Sequence, residues 1–206
     1  MEQIIMIVLV LTSVVSLTFI IERGIALRWN RIIPPGIEEA VQNCQSAAEL
    51  PMLHRTCEQH PSALGRLMLV AATHLDCPRA ENVDALQTRA RHEVAQMERG
   101  LVVLEIVTGI APLLGLVGTI YGLIKLFQSL GPAGAADNTA FAAGIALALH
   151  ATLMGLLIAI PSLVCWSYYT KKVETLAIEM ETLCDEFLHR HYREEAGQRP
   201  KREPKR

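Results

Sequence analysis

Charge is scarce in this chain of 206 residues, and long stretches of it carry none. Lysine, arginine, aspartate and glutamate make up 19% of the residues, whereas 51% are hydrophobic, a balance typical of a membrane protein with modest soluble parts. No basic stripe lies outside the C-terminal run at residues 199–206, so nucleic acid is not expected as a partner. That run is of the kind that is solvated or lies near anionic lipid.

The residue patterns that mark an enzyme are also absent. No paired carboxylates, no HExxH motif and no Ser/His/Asp or phosphate-binding arrangement lie in or beside the hydrophobic stretches. The five cysteines are an odd number, and disulfides are not expected because nearly all of them fall in segments predicted to face the cytoplasm or the membrane. We therefore expect neither an enzyme nor a cofactor.

One cluster of histidines and cysteines could be drawn as a metal site. His54, Cys57 and His60 recur at three-residue spacing, with His74 and Cys77 nearby. They do not flank a hairpin of the zinc-finger kind, so a solvated helix face is favoured over a metal site.

Three hydrophobic stretches are long enough to cross a membrane. A hydrocarbon core of about 30 Å needs about 20 apolar residues in a helix. We predict transmembrane helices over residues 1–22, 101–127 and 141–170, joined by a helical loop at residues 23–100 and a turn at residues 128–140. The first stretch has no basic start and no small-residue cleavage site, which favours an uncleaved span over a signal peptide.

The positive residues predict the orientation of these spans. Arginines follow the first span and precede the second, two lysines follow the third, and the turn at residues 128–140 has no lysine or arginine. By the positive-inside rule the N-terminus and the turn are periplasmic, whereas residues 23–100 and the C-terminal helix and basic tail at residues 171–206 are cytoplasmic.

The remaining sequence predicts more helix and no strand. Prolines divide the cytoplasmic loop into amphipathic helices at residues 37–50, 62–75 and 81–100, and an apolar stripe continues from the third span to about residue 191. The loop is too poor in large apolar residues for an independent core, so its helices should pack along the long second and third helices. The predicted class is an all-α integral membrane protein whose second and third helices extend into the cytoplasm.

Small residues recur at helical spacing in the second and third spans. They lie on one face of each helix, where they allow helix backbones to approach closely. The second-span face holds Thr108, Pro112, Gly115, Thr119 and Gly122, with Gly118 beside it; the third-span face holds Gly144, Ala148, Thr152, Gly155 and Ala159, and ends near Pro161. The hydroxyls of Thr119 and Thr152 either bond back to their own helices or offer polar positions to a partner or to water.

These two spans resemble a known family. The run APLLGLVGTIYG at residues 111–122 and the run GIALALHATLMGLLIAIP at residues 144–161 closely resemble the MotA/TolQ/ExbB proton channel family, in its TolQ/ExbB branch. The segment ERGIALR at residues 22–28 is similar to the same branch. The resemblance covers the second and third spans well, and the cytoplasmic loop only by length and topology.

The resemblance implies an inner-membrane motor. Subunits of this family form a ring, generally a pentamer, around the single transmembrane helices of an ExbD/TolR-like partner, and proton flow there energises a TonB- or TolA-like protein. Thr119 and Thr152 match the pore-facing threonines of the family. Its packing residues correspond to Pro112, Gly115, Gly118, Gly122, Gly144, Gly155 and Pro161.

One position departs from the family pattern. Leu147 stands where the third span of TolQ/ExbB proteins usually has glutamate, so no carboxyl lies deep in either span and a partner must bring the acid. His150 lies on nearly the same face as Leu147 and is either a proton relay or, as we favour, a hydrogen-bonding group toward a neighbouring helix. The alternative function is a non-conducting scaffold subunit of a related export or motility complex.

Overall fold

A computed structural model describes residues 2–44, 47–129 and 138–198 of the chain, and these parts are helical with no strand. The predicted all-α class is therefore confirmed for the described chain. The helices are α1 (Glu2–Ala26), α2 (Trp29–Ile32), α3 (Pro35–Asn43), α4 (Leu50–Gln59), α5 (Ala63–Thr73), α6 (Arg79–Glu98), α7 (Leu101–Ser129) and α8 (Asn138–Gln198), with one 3-10 turn at Ala47–Glu49.

Three of these helices are long and apolar enough to cross a membrane, which confirms the predicted number of spans. They cover Gln3–Ala26 in α1, Leu101–Gln128 in α7 and Gly144–Arg193 in α8. At a rise of 1.5 Å per residue, the 61 residues of α8 measure about 90 Å, roughly three times the thickness of a hydrocarbon core. The length of α8 therefore exceeds what one crossing needs. Most of the predicted turn at residues 128–140, and the basic tail at residues 199–206, lie outside the described residues.

The chain divides into two compact units. The membrane unit consists of Met1–Ile25 and Arg99–Thr170, and the loop unit consists of Ala26–Glu98 and Lys171–Arg206. Each has its own interior and is described separately below.

Small residues and a few large apolar ones lie inside the membrane unit. Ala111 and Ala148 are buried there together with Leu9 and Leu104, whereas most large side chains, such as Leu113 at 60% exposure, cover the outer surface. Large apolar side chains at the surface suit lipid, because lipid tails are as apolar as leucine and close backbone packing favours helix association.

The loop unit is built around an apolar core that α8 completes. The loop helices bury Ile37, Val41, Leu64 and Met68, and α8 adds side chains of which Phe187 is fully buried. The loop helices and α8 contribute to one shared core, and the expectation that the loop alone lacks a core stays a prediction.

One of the three predicted loop helices is shorter than expected. The helix predicted at residues 37–50 stops at Asn43, and a separate helix, α4, begins at Leu50 and was not predicted. Pro51 was interpreted as a break, but it lies in the first turn of α4, where a missing backbone N–H costs nothing. The helices predicted at residues 62–75 and 81–100 correspond to α5 and α6.

The expectation of a fully solvated His/Cys face was wrong for Cys57. Its side chain is 2% exposed in the loop unit, whereas His54 and His60 are exposed. Burial raises the pKa of the Cys57 thiol to about 11, so the group stays protonated near neutral pH, and a protonated thiol is a poor metal ligand. Among the described residues no group of three or more His, Cys, Asp and Glu side chains is placed to hold a metal ion.

Candidate functional site

The two threonines singled out in the sequence meet between α7 and α8. The hydroxyls of Thr119 and Thr152 are hydrogen-bonded to each other, although the two residues are 33 positions apart. Thr119 Oγ1 also lies 3.2 Å from the carbonyl oxygen of Ala148 and 3.3 Å from that of Gly115, and Thr152 Oγ1 lies 3.2 Å from the same Gly115 oxygen. Both side chains are half-buried.

This hydrogen-bonded pair has two arrangements. Each hydroxyl has one proton to donate. If Thr119 donates to Thr152, then Thr152 donates to the Gly115 carbonyl; if Thr152 donates to Thr119, then Thr119 donates to the carbonyl of Ala148 or of Gly115. Thr119 thus bonds back to its own helix through the Gly115 carbonyl, and the two hydroxyls form a short chain whose direction can reverse. The alternative in which they offer polar positions to a partner or to water stays a prediction.

Glycines bring the two helices close enough for these bonds. A Cβ added at Gly115 would lie 2.9 Å from the Ala151 carbonyl oxygen and from the Thr152 Cα, and one added at Gly155 would lie 2.5 Å from the Ala111 carbonyl oxygen. These obstacles are backbone atoms, which cannot rotate away. Any side chain at either position would therefore push α7 and α8 apart.

The same contact continues along both helices. A Cβ at Gly118 would lie 2.5 Å from the Ala151 Cβ, and one at Gly122 would lie 2.9 Å from the Ala148 Cβ. A Cβ at Gly144 would meet only the flexible end of Leu126, 2.6 Å away. Gly109, on another part of α7, has nothing within 4 Å, so close approach is a property of particular glycines and not of α7 as a whole.

The prolines lie inside their helices and leave a carbonyl without its usual donor. Pro112 is in α7 and Pro161 is in α8, and each removes the N–H that would bond four residues back.

Thr108, on the predicted face of the second span, donates its hydroxyl proton to the Glu105 carbonyl at 2.7 Å and does not join the threonine pair.

His150 is placed away from the threonine pair. Its side chain is exposed, and its Nδ1 lies 2.9 Å from the Ala146 carbonyl oxygen of its own helix. The imidazole thus bonds back along α8 through Nδ1, and the favoured hydrogen bond to a neighbouring helix stays a prediction. Leu147 lies in α8, and its side chain lies outside the described part of the structure.

The parts of the second and third spans around the threonines carry no charged residue. Glu105 and Lys125 lie toward the ends of the second span, residues 106–124 between them are uncharged, and α8 carries no charge from residue 138 to residue 170. The hydroxyls can pass a hydrogen bond along but do not ionise near neutral pH. A proton carried through this site needs an acid from outside the chain.

Sequence analysis missed a second polar contact in the membrane unit. The buried hydroxyls of Ser16 in α1 and Ser162 in α8 lie 2.5 Å apart, and Ser162 donates to the Ile158 carbonyl at 2.7 Å, so Ser16 donates to Ser162. Nearby, the hydroxyl of Tyr169 donates to the Ile20 carbonyl at 3.0 Å. Serines inside an apolar stretch were a usable signal, but their pairing across 146 positions was not visible in the sequence.

The loop unit holds a buried ion pair that the sequence did not reveal. Glu93 is 1% exposed and accepts hydrogen bonds from Arg66 Nε at 2.8 Å and Nη2 at 2.5 Å, while Arg89 Nη2 lies 2.6 Å from it. Burial by itself would raise the pKa of the Glu93 carboxyl, but the hydrogen bonds and charges of the two arginines outweigh burial and hold that pKa below its usual range.

Comparison with known proteins matches much of the sequence to one family. The model of the MotA/TolQ/ExbB proton channel family matches residues 59–182, more than half of the chain. That segment contains α7, the threonine pair and the glycine contacts.

Individual relatives agree with the family match. The chain is 29% identical to the Tol-Pal system protein TolQ of Pseudomonas aeruginosa over 205 residues, covering 91% of this chain and 87% of that protein. It is 34% identical over 166 residues to the putative biopolymer transport protein ExbB-like 1 of Synechocystis sp., covering 76% of this chain and 63% of that protein, just under two thirds of its length. It is 30% identical over 113 residues to the biopolymer transport protein ExbB of Aquifex aeolicus, covering 55% of this chain and 76% of that protein.

Proposed function

Because the chain belongs to the MotA/TolQ/ExbB proton channel family, in its TolQ/ExbB-like branch, we propose that it is a proton-channel and motor subunit of the bacterial inner membrane. With an ExbD/TolR-like single-span partner, it converts the proton motive force into mechanical work on a TonB- or TolA-like protein. The family is one of proton channels and not of enzymes, in keeping with the absence of catalytic motifs from the sequence.

The threonine pair carries this proposal. Thr119 and Thr152 form a hydrogen-bonded chain in an otherwise apolar contact, and the direction of that chain can reverse. Such a pair receives a proton from one side and releases another toward the other side without becoming charged. The acid that delivers and removes the proton comes from the partner helix, since residues 106–124 and 138–170 supply none.

The proposed topology follows the basic residues. Residues 1–22, 101–127 and 141–170 cross the membrane, residues 23–100 and 171–206 are cytoplasmic, and the N-terminus and residues 128–140 are periplasmic. Copies of the chain assemble into a ring, which we take to be a pentamer, with lipid outside and the partner helices in its lumen.

In this proposal the small residues keep the lumen wall closed. Pro112, Gly115, Gly118, Gly122, Gly144, Ala148, Gly155 and Pro161 hold α7 against α8, and five of these glycines make the close approaches described above. Close packing keeps the two threonines within bonding distance and excludes lipid from between them. Conduction and helix packing are thus coupled at one contact.

A second candidate function rests on a different observation. In either arrangement one threonine donates to the other and the second donates to a helix carbonyl, and residues 106–124 and 138–170 carry no acid. The same contact therefore suits a non-conducting scaffold subunit of a related export or motility complex. In that case the hydroxyls only fasten the helices.

Substitution of Thr119 separates the two functions. Valine keeps the shape of threonine and removes the hydroxyl, whereas serine keeps the hydroxyl. For a channel, Thr119→Val abolishes proton flux through liposomes that contain the chain and its copurified partner, while Thr119→Ser retains it. Equal function of wild type and Thr119→Val, with the ring intact by native mass spectrometry, would favour the scaffold.

A further inference from the structure

Two polar groups of the membrane unit have hydrogen-bonding capacity that the described residues do not fill. Tyr121 in α7 is half-buried, and its hydroxyl has no hydrogen-bond partner among the described residues. His150 in α8 is exposed, and only its Nδ1 is bonded, to the Ala146 carbonyl. Both lie in stretches apolar enough to sit in lipid, where an unpaired polar group is costly.

The two groups are chemically complementary. Because the Ala146 carbonyl oxygen only accepts, Nδ1 of His150 carries a proton toward it, and in a ring with a single proton Nε2 is left as an acceptor. The phenol of Tyr121 is a donor. A hydrogen bond from Tyr121 Oη to His150 Nε2 would satisfy both.

The two groups also lie at the same depth. Helices α7 and α8 are antiparallel here, since Gly122 faces Ala148 and Gly118 faces Ala151. We measure depth along the helix axes from the Gly122–Ala148 contact toward the Gly118–Ala151 contact. At a rise of 1.5 Å per residue, Tyr121 lies about 1.5 Å from the first contact and His150 about 3 Å from it. Their levels therefore differ by only about 1.5 Å.

They cannot meet within one chain. The α8 residues that touch α7 include Ala148 and Thr152. His150 is two positions from each of them, so it is rotated by about 200° and lies on the far side of α8. Tyr121 is rotated by about 100° from Gly122, so it lies at the side of the α7 contact face. One group thus faces outward from α8 and the other outward from the flank of α7.

We propose that Tyr121 of one copy donates a hydrogen bond to His150 of the next copy, and that this pair joins the outer face of α8 to the flank of the neighbouring α7. The inference rests on the proposed ring. Different surfaces of each copy meet in such a contact, which is the head-to-tail kind that closes into rings, and rotation about an axis normal to the membrane keeps both groups at one depth. It assigns His150 an assembly role instead of a place in the proton path.

Cross-linking between copies tests the contact directly. In a Cys165→Ala background, Tyr121→Cys is combined with His150→Cys, and the membranes are treated with a short bifunctional thiol reagent. The control combines Tyr121→Cys with Leu157→Cys, because Leu157 is exposed on nearly the same face of α8, seven residues further along. The full chain in its membrane is used throughout.

A ladder of linked copies from the Tyr121/His150 pair, and much less from the Tyr121/Leu157 pair, is the expected result. No ladder, or equal ladders from both pairs, in a protein that native mass spectrometry shows to be a ring would overturn this inference and leave the proposed function standing. A wild-type protein that is a single chain would overturn the proposed ring itself.

A double-mutant cycle gives a second test that does not depend on cross-linking. Tyr121→Phe removes only the hydroxyl and His150→Phe removes the acceptor. Each is expected to weaken association by roughly three- to thirty-fold per contact between copies, the range measured for hydrogen bonds between membrane helices. The double variant should be no weaker than either single variant, whereas additive losses would contradict a shared bond.

Discussion

Substitution of Gly155 by alanine measures how much the α7–α8 contact depends on the absence of a side chain. The added Cβ would lie 2.5 Å from the Ala111 carbonyl oxygen and 3.2 Å from the Gly115 Cα. An ordinary contact is about 3.4 Å or more, so the helices must separate locally by nearly 1 Å. Overpacking of this kind costs about 1–3 kcal/mol.

The same separation breaks hydrogen bonds. Thr152 Oγ1 and Thr119 Oγ1 each lie 3.2 Å from a carbonyl of the other helix, and moving apart by about 1 Å takes both beyond bonding distance. Each bond between membrane helices is worth about 0.6 kcal/mol on average. Together with overpacking, the expected loss in the free energy of unfolding is about 2–4 kcal/mol.

Unfolding in mixed micelles of detergent and SDS, followed by circular dichroism, provides the assay. Gly109→Ala is the matched control, because a Cβ at Gly109 meets nothing within 4 Å, and the better helix propensity of alanine should leave stability equal or slightly higher. A Gly155→Ala protein as stable as wild type, or an equal loss in both variants, would refute the reasoning.

Three further predictions concern single side chains. Glu93→Gln should lower stability by about 1.5–3 kcal/mol at pH 7 by breaking charged hydrogen bonds, as measured by thermal unfolding of the full chain. The pKa of Glu93 is depressed in the folded state, so its stabilisation is present above the unfolded pKa of about 4.3 and is lost as pH falls through the folded value. The stability of the glutamine variant should therefore fall less steeply with decreasing pH than that of wild type. The same dependence of stability on pH in both proteins would contradict this. Ser62→Ala should lower the free energy of unfolding by about 1 kcal/mol, because the Ser62 hydroxyl accepts a hydrogen bond from the Gly65 N–H at 3.0 Å. Ser62→Asp should retain stability in the same thermal unfolding experiment. Equal losses in the two variants would exclude a capping role. Ser162→Ala should leave the Ser16 hydroxyl unpaired and lower the free energy of unfolding in the SDS titration by about 1 kcal/mol. Adding Ser16→Ala to this variant should cause no further loss if the two serines act as a pair, whereas additive losses would contradict the pairing.

The membrane unit could be predicted largely from its sequence. Helical spacing placed Gly115, Thr119 and Gly122 on one face and Ala148, Thr152 and Gly155 on another, and small residues on an apolar helix have few uses besides close packing. Each of two neighbouring antiparallel helices has one face of small residues. These two faces are expected to pack together, because close packing drives helix association in a membrane.

Contacts between distant segments were beyond sequence reasoning. The pairing of Ser16 with Ser162 and of Arg66 with Glu93 depends on where helices cross, which local patterns do not contain. The boundary between α3 and α4 was missed because Pro51 breaks a helix in mid-course but suits its first turn, and only the position of the helix start distinguishes the two cases.

Proton flux through liposomes tests the central claim most directly. The purified oligomer of this chain, reconstituted with a pH-sensitive dye inside and a potassium diffusion potential across the membrane, should hold protons out. The same oligomer with its single-span partner should conduct, and replacing the embedded acid of that partner by its amide should stop the flux. Conduction by the oligomer without any partner would contradict the account, because no acid of this chain lies in residues 106–124 or 138–170 to carry the proton.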